Sequence, residues 1–160
     1  MTKKEWVMRR FLTIAGVFFL LTLTLVQAGI CAAPLQLLTM EEAALPEARN
    51  FGFAAALRSD GPSITARDLE VTAGDRTFPL EVSFAPRDGS QVDVNTLKLE
   101  CLKSSNIDLT PRIRPYADKD GVKVDSISLP PGSYRFRVAI SDFKGRFSEK
   151  EFTVRVTVNY

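Results

Sequence analysis

The alternation of apolar and polar side chains in residues 129–158 constrains the fold of this chain more than any other feature. The apolar positions before and after a turn are Tyr134, Phe136, Val138, Ile140, Phe152, Val154 and Val156. A period of two residues places one set of side chains on a buried face and the other on an exposed face. The stretch therefore predicts two antiparallel strands joined by a tight turn.

Five further strands are predicted upstream, separated by turns that contain Gly, Asp or Pro. They cover residues 64–71 with a break near Ala66, 78–84, 97–101, 107–113 with an interruption at Pro111, and 122–127. Short strands at this spacing, without a long helical pattern, predict an all-β antiparallel sandwich of about seven strands. We place this domain at residues 63–160, because the breaker cluster at 59–63 marks a boundary.

Residues 1–28 have the build of a secretory signal peptide. Lys3, Lys4, Arg9 and Arg10 precede an uncharged apolar run at 11–26, and small residues follow. Cleavage is predicted after Ala28, with sites up to residue 33 left open. The alternative is an uncleaved apolar helix that anchors the chain in a membrane, although the run is shorter than the usual span of about 20 residues.

Residues 29–62 are predicted to be a linker or tether. Within them, Thr39 and Glu42 have the spacing of a capping box, which could begin one or two helical turns. Pro46 limits any continuation of that helix. Cys31 lies at the start of this segment and Cys101 in a predicted strand, and whether the two form a disulfide stays open.

Charge and composition exclude several classes of function. Without the first ten residues the chain carries 17 basic and 18 acidic side chains, so no nucleic-acid footprint is expected. The chain contains no histidine, which removes the usual general base and most zinc sites. We expect no enzyme activity, no catalytic, cofactor-binding or metal-binding residues, and no cofactor.

Four stretches resemble bacterial immunoglobulin-like domains, near the fibronectin type III and cadherin-like branches. They are LPPGSY at 129–134, RVAISDFKG at 137–145, FTVRV at 152–156 and VDVNTL at 92–97. The resemblance covers about 100 residues and implies an immunoglobulin-like sandwich, but no activity. The chain's single tryptophan is Trp6, and Cys101 has no second core cysteine beside it, so the mature domain lacks the tryptophan and disulfide core of antibody domains.

A few side chains invite sharper interpretations. Asp118 and Asp120, with Asp142 or Asp93, could form a cadherin-like calcium site, but Asp is also the default residue of turns. Cys101 lies on the same face of its predicted strand as Leu97 and Leu99, so its thiol is expected to lie in the core. Tyr134 is expected to form a tyrosine corner. The arginines Arg112, Arg114, Arg135 and Arg137 could form an anion-binding patch, or Arg135 and Arg137 could pair with Glu149 or Glu151.

These observations favour an exported, non-enzymatic module, periplasmic or secreted, that presents loops or a sheet edge. Its partner would be another envelope protein or a surface polymer. No nucleic-acid partner is expected, and contact with a membrane is expected only if the signal segment is not cleaved. The alternative is a carbohydrate-binding or calcium-dependent adhesion accessory domain. The missing tryptophan weakens sugar binding, and a small hydrolase is a third hypothesis.

Overall fold

A computed structural model describes residues 33–48, 57–72 and 77–157, which form two β-sheets. The first sheet has the order β1 (Leu35–Gln36), β8 (Gly121–Ser128), β4 (Phe78–Ala85) and β2 (Ser63–Ala66), with β7 (Ala117–Asp118) also paired to β8. The second has the order β3 (Leu69–Thr72), β10 (Phe147–Thr157), β9 (Gly132–Asp142), β5 (Val92–Cys101) and β6 (Ile107–Asp108). The helices are α1 (Met40–Ala44), α2 (Thr110–Ile113) and a 3₁₀ turn at Arg114–Tyr116.

The predicted all-β sandwich is confirmed, and its core follows the alternation in the sequence. Every second residue of β4 from Phe78 onward is buried, and the seven apolar positions predicted in β9 and β10 are buried as well. Phe136 pairs with Phe152 across these strands, and their ring centroids lie 5.4 Å apart. Residues of both sheets belong to a single hydrophobic cluster, so the inner faces of the sheets pack together.

The pairing at the sheet edges differs from the fully antiparallel sheet that was predicted. β1 runs parallel to β8, and β3 runs parallel to β10, with Leu69 opposite Val154. The break predicted near Ala66 explains the parallel pairing of β3 with β10. There the chain leaves the edge of the first sheet, where β2 pairs with β4, and joins the edge of the second.

The prediction that residues 29–62 form a tether is wrong for the part between Leu35 and Ala48. Leu37 and Leu38 are 0% exposed and belong to the core, and β1 is a strand of the first sheet. The compact unit accordingly extends over Ala33–Tyr160 rather than starting at residue 63. Two adjacent leucines bury enough apolar surface to dock this segment, at roughly 1.5–3 kcal/mol for each side chain.

The two helices had different outcomes. The capping box of α1 is confirmed, because the Thr39 hydroxyl accepts from the Glu42 N–H while the Glu42 carboxylate accepts from the Thr39 N–H. The strand predicted over 107–113 is wrong after Asp108. Pro111 lies in the first turn of α2, where its missing N–H costs no helical hydrogen bond.

The predicted tyrosine corner is present at the start of β9. The hydroxyl of Tyr134, which is 2% exposed, donates to the carbonyl of Pro130 at 2.9 Å. We expect Tyr134→Phe to lower the free energy of unfolding by about 1 kcal/mol, because the phenyl ring keeps the packing and loses the hydrogen bond. Urea unfolding of both proteins measures this difference, and equal midpoints would show that the bond contributes nothing.

An ion pair fastens α1 to α2. The Arg112 guanidinium donates to both carboxylate oxygens of Glu42, at 2.6 and 2.8 Å, and to the carbonyl of Leu37 at 2.6 Å. The hydrogen bonds from Arg112 lower the pKa of Glu42 from 4.5 to about 2. The pKa of Arg112 is raised in turn by the same carboxylate. The pair thus holds the docked segment to the sandwich.

This pair predicts a pH-dependent contribution to stability. A carboxyl group whose pKa is lowered by folding stabilises the protein above its unfolded value of 4.5, and the contribution is lost as the pH falls toward about 2. We expect Glu42→Gln to lower the free energy of unfolding by about 1–3 kcal/mol at neutral pH, and by progressively less below pH 4.5. Urea unfolding at a series of pH values measures it, with the exposed Glu41→Gln as control. A difference independent of pH would contradict the assignment.

Candidate functional site

Three turns lie at one end of the sandwich, which we call the loop end. They are the β4–β5 connection (86–91), the β7–β8 turn (119–120) and the β9–β10 turn (143–146). Ser83 near the end of β4 pairs with Gly121 at the start of β8, and Val92 at the start of β5 pairs with Asp142 at the end of β9. The Phe84 N–H also donates to the carbonyl of Asp120 at 2.8 Å.

A buried carboxylate organises the β9–β10 turn. The side chain of Asp142 is 0% exposed, and it accepts from the N–H of Lys144 at 2.9 Å and from the N–H of Arg146 at 3.0 Å. The Nε of Arg146 also donates to it at 2.8 Å. Gly145 occupies the left-handed region with φ of +75°, which completes the reversal of the chain.

The guanidinium of Arg146 joins this turn to the β4–β5 connection. Nη1 donates to the carboxylate of Asp88 at 2.7 Å, and Nη2 donates to the carbonyl of Arg87 at 2.7 Å. Burial raises the pKa of Asp142, but the hydrogen bonds from Arg146, Lys144 and Ser90 outweigh it, so the net pKa is lowered. The carboxylates of Asp88 and then Asp142 raise the pKa of Arg146. The network is therefore charged at neutral pH, and it holds two of the three turns together.

Phe143 lies at the tip of the β9–β10 turn, and 68% of its surface is exposed. We call this turn the braced turn, because the contacts of Asp142 and Arg146 fix it. Its N–H donates to the carbonyl of Gln91 at 3.2 Å, so its backbone is tied to the β4–β5 connection. The other exposed aromatic ring among the described residues is Tyr116, 43% exposed and in the 3₁₀ turn. A large apolar side chain on a turn that is already ordered would meet a partner at a low entropic cost.

A groove of about 440 Å³ opens beside the loop end, between β2 and the first residues of β10. Its lining includes Ser59, Pro62, Ile64, Arg87, Glu149 and Lys150. The Gly61 N–H donates to the Ser148 hydroxyl at 3.1 Å and to the Phe147 carbonyl at 3.2 Å. A Cβ at Gly61 would meet the Arg146 carbonyl oxygen at 2.5 Å, so this wall is closely packed backbone.

The acidic residues singled out from the sequence do not meet at one point. Asp118 accepts from the N–H groups of Asp120 and Gly121, at 2.8 and 2.9 Å, which is the turn role. Asp93 accepts from the Asn95 N–H at 3.1 Å, and Asp142 is engaged by Arg146. Within residues 33–48, 57–72 and 77–157 no group of three acidic, cysteine or histidine side chains could hold a metal ion.

Cys101 is a core residue, as its parity predicts. It is 0% exposed, and burial raises the pKa of its thiol to about 11, although the charge of Lys103 acts in the opposite direction. A protonated, buried thiol is a poor nucleophile. Cys31 lies outside the described residues, and so does the predicted signal segment.

The four arginines do not form an anion-binding patch. Arg137 pairs with Glu151 at 2.7 Å on the neighbouring strand, as the alternative interpretation predicts. Arg112 binds Glu42, and Arg114 donates to the carbonyls of Val94 and Asn95. The contact of Arg135 is to a backbone carbonyl, that of Ala48 at 3.4 Å.

Comparison with known proteins identifies no family. No family model matches the chain, and no curated protein matches it. Among solved structures, CopC from Methylosinus trichosporium OB3b aligns with a TM-score of 0.38 and 16% sequence identity, over 61% of this chain and 92% of that protein. The fold described above is therefore defined by the strand pairing of this chain itself.

Proposed function

We propose that this chain is an exported, non-enzymatic immunoglobulin-like module that binds another macromolecule of the cell envelope through its loop end. The exposed ring of Phe143 on its braced turn carries the proposal. The partner would be an envelope protein or a surface polymer.

The braced turn supports binding on energetic grounds. Binding costs free energy when loops and side chains must be ordered, and a turn that is already fixed avoids much of that cost. Here the ordering is supplied by hydrogen bonds of Arg146 to Asp142, Asp88 and the Arg87 carbonyl. Phe143 then brings a large apolar area, of the kind enriched at interface centres.

The immunoglobulin-like assignment is supported by two features of the strands. The orders β2-β4-β8 and β5-β9-β10 correspond to the A-B-E and C-F-G strands of that fold. A tyrosine corner at the start of the F strand is a further hallmark, and Tyr134 occupies that place in β9. Such domains host many roles, so the function is argued from the loop end rather than from the fold.

Export is supported by the basic residues, the apolar run and the small residues of the first 33 positions. Among the described residues, no helix has the length and apolarity needed to cross a membrane. The proposal places the mature N-terminus near Gly29, ahead of the compact unit that starts at Ala33. N-terminal sequencing of the native protein tests it, and an intact Met1 on a cytoplasmic protein would contradict it.

The binding surface is tested with a matched pair of variants. The tagged mature protein, Phe143→Ser and Met40→Ser are each used to recover partners from the envelope fraction. Met40 is a suitable control because it is 69% exposed and follows β1, which lies at the opposite end of β8. We expect Phe143→Ser to reduce recovery of a specific partner about tenfold or more, as for an interface hot spot, and Met40→Ser to have no effect. Equal recovery by all three proteins would exclude Phe143 from the interface.

The alternative of calcium-dependent adhesion makes an opposite prediction for thermal unfolding. A ligand that binds only the folded state raises its stability by about 2.7 kcal/mol at a hundred times its dissociation constant. We expect the unfolding curves in millimolar calcium and in excess chelator to coincide. A shift with calcium that vanishes when Asp118 and Asp120 are changed to Asn would favour the adhesion alternative.

A further inference from the structure

The charged side chains around Phe143 are committed to contacts within the loop end. The carboxylate of Asp142 accepts from the N–H and the Nε of Arg146, at 3.0 and 2.8 Å. The two Nη atoms of Arg146 donate to the carboxylate of Asp88 and to the carbonyl of Arg87, each at 2.7 Å. The buried carboxylate and the guanidinium therefore hold the braced turn rather than a second molecule.

This use of the charged groups favours a protein over a sugar polymer as the partner of the loop end. A sugar hydroxyl that is buried in a complex needs a hydrogen-bond partner, because an unpaired polar group costs free energy. The carboxylate and the guanidinium next to Phe143 are already paired inside the turn, so they are poorly suited to supply it. The ring itself, 68% exposed, offers apolar surface, which an apolar pocket of a protein covers.

Lys144 adds a free positive charge next to this ring. Its N–H donates to the carboxylate of Asp142 at 2.9 Å, so its backbone is fixed by the braced turn. The residue is exposed, and no ion pair among the described residues includes its ammonium group. A charge at the rim of an apolar contact attracts the opposite charge of a partner. A carboxylate of the partner is therefore expected beside Lys144.

The other charged residues of the loop end are engaged locally. The ammonium group of Lys119 lies 3.3 Å from the carboxylate of Asp120 on the β7–β8 turn. Asp118 accepts from two backbone N–H groups of that turn, and Asp93 on β5 accepts from a backbone N–H at 3.1 Å. Within the described part of the chain, the loop end thus presents Lys144 as a cation that no anion contacts.

We propose that the partner of the loop end is a protein that covers Phe143 with an apolar pocket and places a carboxylate against the ammonium group of Lys144. The buried ring supplies most of the affinity, as interface hot spots do. The charge contact at the rim sets the orientation of the partner and the rate of association. This partner class rests on the proposed function, because it requires Phe143 to lie in an interface.

Photocrosslinking from position 143 tests this partner class. The purified mature chain, with a photoreactive phenylalanine analogue at that position, is added at limiting concentration to the envelope fraction and irradiated. The yield of crosslinked product is measured at about 50 mM and about 500 mM sodium chloride, because salt screens exposed charges. Mass spectrometry of a tryptic digest shows whether the group attached at position 143 is a peptide or a sugar.

The same yield is measured for Lys144→Glu, Lys144→Arg and Arg67→Glu, each carrying the analogue. Arg67→Glu is the matched charge reversal. Arg67 is exposed and precedes Asp68, whose carboxylate contacts Thr153 in the middle of β10, away from the loop end. Thermal unfolding shows whether each variant is folded.

We expect a peptide at position 143, and a yield that falls about tenfold in Lys144→Glu and at least about threefold at the higher salt concentration. Lys144→Arg and Arg67→Glu should stay within about twofold of the native sequence. The salt series needs no change at Lys144, so the test holds if a variant fails to fold.

Two results would overturn the protein partner and leave the loop end as a binding surface. One is a sugar attached at position 143, and the other is a yield that neither Lys144→Glu nor salt lowers. The absence of any product from position 143 would overturn the proposed function together with this partner class.

Discussion

Phe136→Ala is expected to lower the free energy of unfolding by about 3–5 kcal/mol, the usual cost of a large core cavity. Phe136 is 0% exposed, and its ring lies 5.4 Å from that of Phe152 and 6.4 Å from that of Tyr134. It pairs with Cys101 on β5 and with Phe152 on β10, so it lies in the middle strand of the second sheet. Removing the ring leaves neighbours on both adjacent strands without contacts.

Urea unfolding of the native and variant domains measures this effect. Ser133→Ala is the matched control, since Ser133 is an exposed residue of the same strand and should change the free energy by less than about 0.5 kcal/mol. If Phe136→Ala unfolds at the same urea concentration as the native domain, the assignment of Phe136 to the buried face of β9 is wrong. The total stability of a domain is about 5–15 kcal/mol, so the expected loss is a large part of it.

Removal of the docked N-terminal segment is expected to prevent folding. A chain that starts at Ser63 loses Leu37 and Leu38, which are 0% exposed, together with β1 and the contact of Glu42 with Arg112. Truncating one buried leucine to alanine costs about 2–5 kcal/mol, so losing both approaches the whole stability of a domain.

Circular dichroism and urea unfolding test this on two chains, one starting at Ala33 and one starting at Ser63. The longer chain should unfold cooperatively, and the shorter one should show no cooperative transition. The single variant Leu38→Ala in the longer chain should lose about 2–5 kcal/mol. A shorter chain as stable as the longer one would restore the interpretation of residues 29–62 as a tether.

The strands were predictable wherever burial on one face left a period of two in the sequence. This holds for β4, β9 and β10, in which the alternating apolar residues are buried. The capping box of α1 was predictable because it needs two residues three positions apart, Thr39 and Glu42. Such features depend on local sequence, and the structure confirms them.

Features that depend on distant parts of the chain were not predictable. β1 has two residues, too few for any period, and Leu37–Leu38 reads as a short apolar pair until β8 is placed beside it. The strand predicted through Ile113 failed because Pro111 suits the first turn of a helix as well as it interrupts a strand. A propensity for two structures is resolved by packing.

The contacts at the loop end were likewise only partly predictable, because some of them join distant parts of the chain. Asp142 and Arg146 lie four positions apart across a turn, so a local sequence pattern could have indicated the contact between them. Asp88 lies 58 positions from Arg146, and the fold alone brings these two side chains to 2.7 Å. The exposure of Phe143 could not be inferred either, because the sequence alone does not show whether an aromatic side chain in a turn is buried or exposed.

Site-specific photocrosslinking in intact cells tests the central claim, that the loop end is the binding surface. A photoreactive phenylalanine analogue is placed at the position of Phe143 in one strain and at the position of Met40, which is equally exposed at the opposite end, in another. We predict a discrete crosslinked product of extracytoplasmic origin from position 143 and none from position 40. Crosslinks from position 40 alone, or none from either position, would contradict the account.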